Sequence, residues 1–140
     1  GATLIRASRQ ACCADGRLKA TIFLSPATFV NEVLLDEPEI LEDGPPTLVA
    51  HGANDTVVGL EESEALIEAI SGPTPLVVLK GADHASPIES ETGVPSPDQE
   101  VFEALVAAFI EEKVRGWSGT FDVELSNQQA AGTVTVANPN

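Results

Sequence analysis

The chain has 140 residues, of which 43% are hydrophobic, and it carries 22 acidic residues against 7 basic ones, a net charge of −15. Such an acidic surface repels phosphate backbones, which excludes nucleic acid as a partner class. No apolar run approaches the roughly 18 residues of a membrane-spanning helix, so no membrane span is predicted. The apolar content is sufficient for a single hydrophobic core.

The first predicted elements are a helix and a strand. Apolar and small side chains recur at three- and four-residue spacing from about Thr3 to Ala14, which predicts an amphipathic helix that ends at Asp15-Gly16. The short apolar run that follows predicts a strand at about residues 19–25.

A long acidic connection, at about residues 27–45, separates this strand from the next. It carries five carboxylates, on Asp36, Glu37, Glu39, Glu42 and Asp43. A run this dense could bind a cation, but Pro38 and the lack of metal-loop spacing favour a solvated loop. Its apolar members are expected to form a lid or pocket wall over the sheet edge: Val33, Leu34, Leu35, Ile40 and Leu41.

Two further apolar runs, each followed by a polar cluster, predict neighbouring buried strands at about residues 46–51 and 75–80. An amphipathic helix from Leu60 to Ile70 is predicted between them. Asp55 follows the first of these strands and His84 follows the second. Because adjacent parallel strands lie roughly 5 Å apart, we expect the two side chains to meet at one edge of the sheet.

The C-terminal part begins with a strong helix-start pattern. Ser96 is the predicted cap, Pro97 takes the first helical position and Gln99 completes a capping box, with the helix running to about Arg115. Beyond it the apolar residues alternate with polar ones, around a loop at 127–132. This alternation predicts a β-hairpin whose strands contain Phe121, Val123 and Leu125, and then Val134 and Val136.

The two polar clusters read HGxxD, ending at Asp55, and GAxH, ending at His84. They resemble the acid and histidine of the Ser-His-Asp triad in the α/β-hydrolase superfamily, in that fold's chain order. Gly1–Ala7 is similar to the helix after a GxSxGG nucleophile elbow. Leu18–Pro26 resembles the next strand in dienelactone-hydrolase-like, chlorophyllase-like and polyester-hydrolase-like members.

The resemblance runs from Gly1 to about Trp117 and implies a partial α/β-hydrolase fold. The expected architecture is α/β: a parallel sheet of about three strands flanked by helices, plus the C-terminal β-hairpin. Residues 1–117 would be the C-terminal part of a hydrolase domain and residues 118–140 an extension. The chain contains no GxSxG, so the alignment places the nucleophile just before residue 1. The strand at 19–25 would then have an open edge, which predicts self-association.

For the site, the resemblance implies Asp55 and His84 as catalytic residues, with no cofactor and no metal. Asp83 is the second choice for the acid, and His51, inside the strand motif, is expected to be structural. Neither Ser25 nor Ser86 is expected to replace the missing nucleophile, because neither is predicted in the strained strand-to-helix turn that such a serine needs.

The implied function is hydrolysis of carboxylic esters, of the esterase, lipase or polyester-hydrolase type, on a small-molecule or polymeric substrate. Dehalogenases and epoxide hydrolases use an Asp nucleophile with the same Asp–His pair, so they remain an alternative chemistry. A truncated, non-catalytic hydrolase module that binds a ligand or a partner chain is the alternative from another class.

Overall fold

The computed structural model describes residues 2–9, 15–27, 44–70, 73–89 and 93–137. Its elements in chain order are helix α1 (Ala2–Arg9), strand β1 (Thr21–Leu24), strand β2 (Thr47–Gly52), helix α2 (Leu60–Ala69), strand β3 (Leu76–Leu79), helix α3 (Pro97–Lys113), helix α4 (Thr120–Ala131) and strand β4 (Val134–Ala137). Most of the predicted acidic connection and the second half of the predicted first helix lie outside the described residues.

The strands form one sheet in the order β1-β2-β3-β4. β1 pairs with β2 and β2 with β3 in parallel, whereas β3 pairs with β4 antiparallel. The predicted α/β class, with three parallel strands flanked by helices, is therefore confirmed. Every residue of β2 and β3 is buried, as expected for central parallel strands that are covered on both faces.

The hydrophobic core lies on both faces of the sheet, because successive strand residues point to opposite sides. Val49 and Val78 face a cluster formed with α1 and α2, in which Ile5, Leu66 and Ile67 are buried. Neighbouring strand residues face a second cluster, formed with α3 and α4, which includes Leu48, Val77, Leu79, Leu105, Phe109, Phe121 and Val134.

Helix α3 begins as the sequence predicts. The Ser96 hydroxyl accepts a hydrogen bond from the Gln99 backbone N–H at 3.0 Å, and Pro97 occupies the first turn. The reciprocal bond of a capping box does not form among the described residues: Gln99 Oε1, which would accept it, is buried without a partner, while Gln99 Nε2 donates to Glu103 at 2.9 Å. The cap therefore depends on the serine alone.

The C-terminal part requires a correction. The predicted second hairpin strand exists as β4, but it pairs antiparallel with β3, and the predicted first strand is wrong because residues 120–131 form helix α4. Phe121 is buried and meets the ring of Phe109 edge-on, with centroids 5.3 Å apart. Leu125, four residues on, packs on the same cluster, whereas Val123 is 62% exposed. The two apolar residues that contact the core, Phe121 and Leu125, are thus four residues apart, which is helical spacing.

Candidate functional site

Asp55 and His84 meet at the carboxyl edge of the sheet. Asp55 lies three residues beyond the end of β2 and His84 five residues beyond the end of β3. The distance from His84 Nδ1 to Asp55 Oδ2 is 2.8 Å, a hydrogen bond. The structure therefore brings together the two residues that the sequence pairs.

The Asp55 carboxylate is buried but well bonded. Its side chain has no solvent exposure, and its Oδ1 accepts hydrogen bonds from the backbone N–H groups of Val57 and Val58, both at 2.9 Å. Burial raises the pKa of this carboxyl, but the bonds from Val58, His84 and Val57 oppose that effect and leave the pKa well below its ordinary value. Asp55 is therefore an anion at neutral pH.

An ionised carboxylate only accepts hydrogen bonds, so the contact assigns the proton to His84 Nδ1. In the neutral ring this leaves a lone pair on Nε2, the state required of a general base. The His84 side chain is 42% exposed, which leaves the ring open to a reactant. The pair consequently has an orienting acid on the buried side and a base on the accessible side.

Backbone contacts hold the two loops against each other. Asn54 donates from its backbone N–H to the carbonyl of Ala82 at 2.9 Å and from its side-chain amide to the carbonyl of Gly81 at 3.1 Å. Gly52 lies directly against the carbonyls of Ala82 and Asp83, which a Cβ would approach to 2.5 and 2.6 Å. The separation of Asp55 and His84 is thus set by bonded, closely packed backbone.

Asp83, the second choice for the acid, has a different task. Its Oδ1 accepts hydrogen bonds from the backbone N–H groups of Ala85 and Ser86, at 2.9 and 2.8 Å. The bonds from Ser86 and Ala85 lower the pKa of its carboxyl. Ser86 in turn donates to Asp98 at 3.2 Å, and its carbonyl accepts from Ser96 at 2.8 Å. These residues shape the His84 loop and anchor it to the start of α3.

His51 is fully buried and contacts the loop that carries Asp55. Its Nε2 lies 3.0 Å from the carbonyl of Val58, so this nitrogen carries the proton, and its Nδ1 accepts from the Ser63 hydroxyl at 2.7 Å. His51 Nε2 is 3.7 Å from Asp55 Oδ2, too far for a hydrogen bond. The ring holds the loop whose N–H groups bind Asp55. Sequence reasoning missed Val58 and Ser63, although the polar Ser63 on the core face of α2 was a signal.

Ser25 occupies the same edge, one residue after the end of β1. Its φ of 39° lies in the left-handed region, so its backbone is strained. The residue is only 4% exposed, which keeps its hydroxyl away from bulk solvent. Ser86, by comparison, lies in the ordinary bonded loop described above.

Within the described ranges, no group of three or more His, Cys, Asp or Glu side chains is placed to hold a metal ion. No helix in the same part of the chain has the length and apolarity to cross a membrane.

No family model matches this sequence, and no curated protein matches it. The hydrolase resemblance therefore stays a prediction that rests on the residues and their arrangement.

Proposed function

We propose that Asp55 and His84 are the acid and the base of a Ser-His-Asp triad that hydrolyses carboxylic esters, in a chain of the α/β-hydrolase type. The observation that carries the proposal is the 2.8 Å bond between His84 Nδ1 and the buried Asp55 carboxylate, at the carboxyl edge of a parallel sheet. Open α/β sheets bind ligands at this edge.

In the proposed reaction His84 Nε2 takes the proton from the attacking serine hydroxyl and then gives it to the leaving alcohol. Asp55 holds the ring in the required tautomer and stabilises the imidazolium that forms. Its low pKa keeps the acid ionised during the cycle. The chain contains no GxSxG motif, so the proposal concerns the acid and the base.

The first test is ester hydrolysis by the protein in its native length, with p-nitrophenyl butyrate as substrate and a fluorophosphonate as a probe for the serine. We expect turnover in the wild type and a roughly 10⁴-fold lower kcat in Asp55→Asn. The asparagine amide would present a donor to His84 and force the wrong tautomer. Unchanged turnover in this variant, or a native protein that neither cleaves ester nor reacts with the probe, contradicts the proposal.

A second candidate function is self-association through β1. Within the described ranges this strand pairs only with β2, so its outer side is an open edge. The N–H groups of Thr21 and Ser25 point inward, to the carbonyls of Pro46 and Ala50. By strand alternation the N–H of Ile22 points outward, where it could pair with the same strand of a second copy.

This pairing predicts a dimer in light scattering of the concentrated protein. Ile22→Pro removes the outward donor and should give a monomer, because proline is tolerated where a strand N–H faces away from the sheet. Ile22→Val is the matched control and should remain dimeric. A monomeric wild type at high concentration, or a dimer that survives the proline, counts against the edge as an interface.

A further inference from the structure

Ser25 combines two features that ordinary packing does not explain. Among the described residues it is the only one other than glycine with a positive φ, at 39°. Its buried Oγ has no hydrogen-bond partner of good geometry within the same part of the chain. A strained backbone persists only where the surroundings hold it, and such residues cluster at functional sites.

The backbone of Ser25 is held by the sheet. Its N–H donates to the carbonyl of Ala50 at 2.8 Å, which continues the β1–β2 ladder by one residue. Because β2 leads into the loop of Asp55, Ser25 lies at the same edge as that carboxylate. Burial, the largest effect, raises the pKa of Asp55, and the Ser25 hydroxyl is close enough to join Val58 and His84 in lowering it.

The Asp55 carboxylate can accept one more donor. A carboxylate offers about four acceptor positions. Two described bonds, from Val57 and Val58, go to Oδ1, whereas one, from His84, goes to Oδ2. The oxygen that faces the base is therefore the less firmly held of the two. The buried hydroxyl of Ser25, which has no partner among the described residues, lies near this carboxylate.

We propose that Ser25 is a positioning residue: its hydroxyl donates a hydrogen bond to the Asp55 carboxylate and holds Oδ2 toward His84. Glycine would adopt this backbone without strain. Serine differs from glycine here by its hydroxyl. A hydrogen bond from this hydroxyl makes the Asp55 carboxylate less basic, so the proton stays on the His84 imidazolium. The role in catalysis rests on the proposed function, but the contact with Asp55 does not.

The test compares Ser25→Ala with Ser25→Gly. Both variants lack the hydroxyl, but only glycine relieves the backbone, so a purely structural role would give the two variants different Tm values and leave the titration of Asp55 unchanged. Carbon-13 NMR of the Asp55 carboxyl provides the direct readout. In both variants we expect this group to begin titrating at a higher pH than in the wild type, and the His84 Nδ1–H resonance to shift.

Ser126→Ala, on the exposed face of α4, is the control and should leave the Asp55 titration unchanged. Titration curves of Ser25→Ala and Ser25→Gly that overlay the wild type overturn the proposal, whatever the Tm values are. This readout needs no ester turnover, so it decides the contact even if the native protein proves inactive and the proposed function fails.

Activity gives the second arm. Where the native protein cleaves ester, both Ser25 variants should lose about tenfold in kcat with little change in KM, since a hydrogen bond to a charged group is removed from the reacting state rather than from substrate binding. A fluorophosphonate adduct on Ser25 would make it the nucleophile instead, and would equally overturn its assignment as a positioning residue.

Discussion

Replacing His84 with alanine is expected to lower kcat for ester hydrolysis by roughly 10⁴- to 10⁶-fold in the native-length protein. The imidazole is the base that Asp55 orients, through the 2.8 Å bond to Nδ1. Without the ring no group in this position can take the serine proton. The remaining turnover would come from substrate binding and oxyanion stabilisation alone.

The fold should survive this change, because the His84 side chain is 42% exposed and fills no core position. We therefore expect a Tm close to the wild-type value, measured by circular dichroism. Free imidazole should restore part of the activity, since the space left by the ring opens to solvent. Lys80→Ala, an exposed substitution in the same loop, is the matched control and should retain full turnover.

Retained ester hydrolysis in His84→Ala would remove His84 from the mechanism. A large loss of Tm in the variant would instead assign the residue to stability and leave the loss of kcat without a catalytic meaning. The two measurements together separate a base from a structural histidine. His51, which is fully buried, belongs to the second kind.

Replacing Gly52 with alanine is expected to destabilise the protein by about 3 kcal/mol, at the upper end of the range for overpacked cores. The added Cβ would lie 2.5 Å from the carbonyl oxygen of Ala82 and 2.6 Å from that of Asp83. Both obstacles are backbone atoms, so no side-chain rotation relieves the contact. The two loops must separate, which would also pull His84 away from Asp55.

Chemical denaturation should therefore show a lower midpoint for Gly52→Ala. Gly16→Ala is the matched control, because no atom lies within 4 Å of the Cβ position at Gly16 and its midpoint should stay near the wild type. Equal midpoints for the two variants would mean that the loops are not packed as closely as described. Ester turnover by the folded fraction of Gly52→Ala should also fall.

Local sequence signals were sufficient for the framework of this protein. The apolar runs that became β2 and β3 are buried on both faces, so their hydrophobic pattern is continuous and easily recognised. The Ser96-Pro97 pair marks the start of α3 correctly, because capping is a contact between near neighbours. The meeting of Asp55 and His84 followed from the parallel order of these strands.

Three features depended on contacts between distant residues. The spacing of Phe121 and Leu125 is even and also equals one helical turn, so it suits a strand or a helix, and packing of Phe121 on Phe109 selects the helix. The donors to Asp55 come from a loop that His51 and Ser63 hold together through the core.

The positive φ of Ser25 is the third feature, and it shows most clearly the difference between what local sequence signals predict and what contacts between distant residues decide. The sequence by itself determined the three parallel strands, the capped helix and the order of acid and base, because hydrophobic period and capping chemistry are local. Only the tertiary structure decided the helical form of residues 120–131, the bonded surroundings of Asp55 and the strained backbone of Ser25. Each of these arises where separate elements pack, and propensity along the chain carries no information about such contacts.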